Sequence, residues 1–122
     1  MTPQGTPVSG TLTFSSSNTT TPFVMLLAGT TSVVTLGTSE KIYITSVVGS
    51  TNDTAPNFIT IDDGAAGQSL VLGYCSTTAQ FTPVFLPGTV KSRPGNALRA
   101  TLSGQTAAKA TVIQFFGYIS RS

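Results

Sequence analysis

Short runs of β-branched and aromatic residues, broken at roughly 8–12-residue intervals by Gly, Pro, Asn or Asp, fill this 122-residue chain and leave little room for helix. The clearest run is 41–48. There Ile42 and Ile44 fall on one side and Tyr43 and Thr45 on the other, the period of two expected of a strand with one buried face. The same alternation marks 11–14 and 58–62. Further β-rich runs at 23–27, 32–36, 68–74, 81–86, 97–102 and 108–119 complete the series. Between them lie turn formers such as Asp63-Gly64, Pro94-Gly95-Asn96 and Ser103-Gly104. The polar stretch 15–22 reads as a turn closed by Pro22, which cannot donate to a central ladder. Only 23–28 is left by its periodicity between a buried strand and a short helix. The pattern predicts an all-β fold, an antiparallel β-sandwich, jelly-roll-like, of about eight strands. An immunoglobulin-like sandwich is the second architecture, but its Cys and Trp hallmarks are missing.

The length fits one domain: an extended N-terminal arm at 1–9, where two prolines and few apolar residues occur, and a sandwich over 10–122. No apolar run is long enough to span a bilayer, and the first residues have neither the basic nor the apolar region of a secretion signal. Membrane partners are therefore not expected, and the cytosol of the producing cell is the expected site of synthesis. Cys75 stands alone and reads as a small buried hydrophobe.

Chemistry-bearing residues are scarce. The chain has no His and no Trp, six basic and four acidic residues, and a net charge of +2. Without His, a Ser or Thr nucleophile has only Lys41, Lys91, Lys109 or a carboxylate as base, so no catalytic residues are assigned. A charge of +2 is too small for nucleic acid as the main partner, since that affinity comes from many neutralised phosphates. Asp62-Asp63-Gly64, with Asp53 nearby, is the one carboxylate cluster. Adjacent strand residues point to opposite faces, so an Asp-Gly turn is preferred to a Ca²⁺ site, and no metal or cofactor is expected. Lys91-Ser-Arg93 forms a basic loop suited to an acidic protein surface. Mean hydropathy is +0.25, high for a monomer, so some apolar surface should be covered by other protein. The run 110–119 is the favoured contact segment, through Val112, Phe115, Phe116 and Tyr118, because apolar residues occupy both of its faces. Burying roughly 1,000 Å² of extra apolar surface between subunits would contribute on the order of 25 kcal/mol before association costs.

From residue 42 onward the order of segments resembles that of small β-sandwich virion proteins of tailed bacteriophages. The pieces are Ile42-Tyr-Ile-Thr-Ser-Val47, Asn57-Phe-Ile-Thr-Ile-Asp62, Gln80-Phe-Thr-Pro-Val-Phe-Leu-Pro-Gly88, Asn96-Ala-Leu-Arg-Ala-Thr-Leu-Ser-Gly104 and Ala110-Thr-Val-Ile-Gln-Phe-Phe-Gly-Tyr-Ile119. Among those proteins it looks most like capsid decoration, or cement, proteins. The resemblance implies a homotrimer on the outer capsid surface, where three capsomers meet, clamping the major capsid protein against internal DNA pressure. It also implies an N-terminal arm that orders on the capsid, here through Thr2, Pro3, Gln4 and Pro7, with Lys91 and Arg93 as further contacts. The same sandwich serves head fibres and tail receptor-binding modules that recognise a host glycan, which is the alternative role.

Overall fold

In the computed structural model, which describes residues 5–15, 19–64, 69–86 and 88–121, the strands pair in a nested order. They are β1 (Thr6–Phe14), β2 (Thr19–Pro22), β3 (Leu26–Leu27), β4 (Lys41–Thr51), β5 (Asn57–Asp62), β6 (Ser69–Cys75), β7 (Arg99–Ser103) and β8 (Thr111–Ser120). The first sheet runs β3-β1-β8-β4 and the second β2-β7-β5-β6, and every pairing is antiparallel. The first long strand pairs with the last (β1 with β8) and the second with the next to last (β2 with β7). At the centre β5 and β6 form a hairpin. Residues 81–86 and 88–92 supply the remaining partner, antiparallel to the free edge of β4 through bridges Gly49–Phe81, Ser46–Val84 and Tyr43–Lys91. This is one long hairpin wound into two sheets, the topology of a jelly roll. Among the described residues there is no helix.

Period-two burial supplies the core. Ile42, Ile44 and Val47 of β4, Ile59 and Ile61 of β5, Ala100 and Leu102 of β7, and Ile113, Phe115 and Ile119 of β8 all point between the sheets. The inward positions of β4 step from 44 to 47 rather than 46 because a bulge falls between Ile44 and Ser46. Gly117 of β8 sits opposite that bulge, and a Cβ there would collide with the Tyr43 carbonyl oxygen. Gly10 has the same office in β1: a Cβ would lie 2.6 Å from the Phe115 ring. Phe115 in turn meets Phe23 edge-on, at 4.9 Å between centroids and 79° between planes. Cys75 is wholly buried, and burial pushes its thiol pKa up, so it stays a small apolar filler.

Several expected elements differ in detail. Residues 19–22, expected to be turn, form β2, because Thr is a good strand former and Pro22 is tolerated on an edge strand. Residues 23–28 form no helix and yield only the two-residue β3. Segment 81–86 is bridged at Phe81 and Val84 without becoming a continuous strand, since Pro83 has no N–H to give. β1 already begins at Thr6, so residues 6–9 of the expected arm are part of the sandwich.

At one end of the sandwich a buried polar network joins three connections. The Asp53 carboxylate accepts bonds from the backbone N–H groups of Thr106 (2.6 Å) and Ala55 (3.0 Å), the Thr106 hydroxyl (2.9 Å) and the Asn57 amide (3.1 Å). The Thr111 hydroxyl donates to Asn57 Oδ1, and Gln105 Nε2 donates to the carbonyls of Phe14 and Lys109. The bond from the Thr106 N–H, above all, holds the Asp53 pKa at about 2, below its ordinary 3.8. A depressed folded-state pKa adds stability that is fully present above about pH 4 and is lost as the pH falls toward 2. Asp53→Asn is therefore expected to lower Tm at pH 7 and to flatten the fall of Tm between pH 4 and 2. Parallel wild-type and variant curves would contradict this.

Candidate functional site

Antiparallel neighbours share a face, and the outer face of the first sheet can be read rung by rung. Pairings Pro7–Tyr118, Tyr118–Tyr43 and Tyr43–Lys91 place these four residues in one cross-strand row, spanning about 14 Å. Within it the Tyr43 and Tyr118 rings stack at 4.9 Å with 5° between planes, which buries Tyr43 although it lies on the outer side. The next row is Ser9–Phe116–Ser46–Val84, followed by Thr11–Gln114–Val48 and Thr13–Val112–Ser50. The result is a spine of Val112, Phe116 and Tyr118 along β8, flanked by Ser and Thr on β1 and by Ser46, Val48 and Ser50 on β4. None of the last three rows carries a charge. Such a face has no ion to desolvate in these rows; an apolar spine runs between hydroxyl-bearing flanks, and charge depletion is the feature it shares with interface cores.

The structure thus gathers Pro7, Lys91, Val112, Phe116 and Tyr118 on one surface. Phe115 does not belong with them: as its strand alternates, it points inward and is 0% exposed, so it is core and not contact surface. Arg93 sits apart, donating to the Asp63 carboxylate from its backbone N–H (2.9 Å) and Nε (3.2 Å). Thr2, Pro3 and Gln4 lie outside the described residues. Asp62 and Asp63 diverge. Asp62 takes two bonds from Arg99, its cross-strand partner, while Asp63 turns inward to Arg93. Each carboxylate is thereby engaged by an arginine rather than by its neighbour.

The structure shows two further features. The outer face of the second sheet carries Phe58, Leu72 and Tyr74, all more than half exposed, with the Phe58 and Tyr74 rings 6.4 Å apart. Their alternation in β5 and β6 was the available signal. The other is a cavity of about 230 Å³ at the β3 side of the fold, lined by Phe23, Met25, Val34, Leu36, Leu98 and Phe115, with exposed Val24, Val33 and Ala97 at its rim. Its walls come from segments far apart in the chain, which no local pattern reveals. No protein-family model matches the chain, and no curated protein matches its sequence.

Proposed function

We propose that this jelly roll is a structural subunit that works by binding protein, first copies of itself and then a larger shell, with no chemical step of its own. The observation that carries this reading is the outer face of the first sheet, where the Val112–Phe116–Tyr118 spine crosses three uncharged rows and charge enters only at the Lys41 and Lys91 end. The partly exposed apolar spine, together with Val84 beside it, is surface that a partner protein can cover without desolvating a charge. The particular station we propose, following the resemblance, is the outside of a phage capsid, where a homotrimer reinforces the contacts of the major capsid protein. In that role the Pro7–Lys91 end of the face would meet the shell.

Electron microscopy of particles carrying the labelled protein tests the station. Density at threefold positions on the outer surface, with particles lacking the protein releasing DNA at lower temperature, is the expected result. A second reading, a fibre or receptor-binding module for a host glycan, is favoured by the exposed Phe58 and Tyr74 rings, which offer a stacking platform for sugar. Specific glycan-array binding with no binding to capsids would overturn the first reading in favour of the second.

A further inference from the structure

The two most exposed large apolar side chains of the described residues are Val84 (82%) and Leu86 (76%). Both lie in segment 81–92, where alternation turns Phe81 and Phe85 toward the core and Thr82, Val84 and Leu86 to solvent. That segment forms one edge of the first sheet. The cavity opens between Val24 and Val33 at the opposite edge, where Val33 bridges to Leu26 of β3, and extends beneath the sheet to Ile42 of β4. The molecule therefore carries an apolar knob on one side and an apolar socket on the other.

Size and charge match them. An apolar cavity of about 150 Å³ is enough to hold benzene, so one of about 230 Å³ accepts a leucine side chain, yet it falls below the usual size for a drug-like ligand. Residues 1–39, which supply most of the socket, contain no charged side chain, and neither do residues 64–90, which supply the knob. The knob and the socket walls carry no ion themselves, and the nearest charges are Lys91 beyond the knob and the Arg93, Asp63 and Arg99 side chains beyond Ala97 and Leu98. Val84 also shares its cross-strand row with Phe116, so the knob is continuous with the face described above.

We propose that copies of this chain join head to tail, with Leu86 and Val84 of one protomer seated in the Phe23–Met25–Leu36–Leu98 socket of its partner. The proposal rests on the self-assembly reading above and specifies its geometry. Different surfaces meet in such a contact, so repeating it gives a ring where the rotation closes and a filament where it does not; a ring of three is what the proposed station asks for.

Complementation tests it. Val84→Ser/Leu86→Ser removes the knob, and Val24→Asp/Val33→Asp spoils the rim of the socket. All four positions are exposed, so unchanged circular dichroism and Tm are expected. Each variant alone should associate at least about 30-fold more weakly than wild type and run as a monomer in light scattering. Mixed in equal amounts they should form a one-to-one dimer, because one intact knob meets one intact socket and the ring cannot close. Phe58→Ser/Tyr74→Ser, on the other sheet, should leave assembly unchanged. Should the rim variant unfold, Leu86→Ala alone must still weaken association. Assembly of the variants at wild-type strength, or a mixture that stays monomeric, overturns the head-to-tail contact while leaving self-assembly standing. A monomeric wild type overturns self-assembly itself.

Discussion

Phe115→Ala is expected to destabilise the protein by about 3–5 kcal/mol, a fall in Tm of roughly 10–20 °C for a domain of this size. The ring is fully buried, meets Phe23 edge-on and forms one wall of the cavity at the β3 side. Truncation removes both the transfer term and the aromatic contact, and it enlarges a space that already exists, so the neighbours have little to collapse onto. Phe116→Ala, one residue along and facing out but only 37% exposed, should cost less, about 1–2 kcal/mol in the isolated chain, and should weaken association as well. Thermal melts of both variants, with light scattering alongside, separate core from surface. Equal losses of stability, or an association defect confined to Phe115→Ala, would contradict the inward orientation of Phe115.

Gly117→Ala is expected to cost about 3 kcal/mol, at the upper end for an added methyl in a packed interior. A Cβ at this position meets backbone, not a side chain that can swing away: the Tyr43 carbonyl oxygen, its carbon at 3.0 Å and the Ile44 Cα at 3.2 Å. To admit it, β4 and β8 must part at the bulge, and the Tyr43–Tyr118 stack beside it must slip. A urea midpoint shifted well below wild type, together with a change in near-ultraviolet tyrosine ellipticity, is the expected result. A midpoint within about 0.5 kcal/mol of wild type would contradict the close approach of the two strands.

The strand content was legible because burial imposes a local signature. The alternation Ile42-Tyr-Ile-Thr gives the face of each residue without knowledge of the partner strand, and Asp63-Gly64 or Ser103-Gly104 marks where a strand must stop. Strand order was not legible in that way. β1 pairs with β8 across almost the whole chain, and nothing within either segment names the other. β2 was hidden because its threonines look like loop when read without the β7 partner they bond, as Thr20 does to Thr101. Phe115 and Phe116 show the limit for the site. An apolar pair in a strand signals two buried faces, but only the register separates the member that packs on Phe23 from the one that faces out. Asp53, noted in the sequence only for its proximity to Asp62 and Asp63, proves to anchor a different end of the fold. Its partners Thr106 and Asn57 are brought to it by the winding of the chain.

Apolar association of copies, as proposed above, is tested most directly by the mass of the protein in solution. Light scattering at micromolar concentration should give three times the 12.5 kDa chain mass. The value should persist in about 1 M salt, where the screening length falls to about 3 Å and exposed ion pairs no longer hold subunits together. A trimer that dissociates in salt would place the contact in charge pairs instead, and a 12.5 kDa monomer in ordinary buffer would contradict the account.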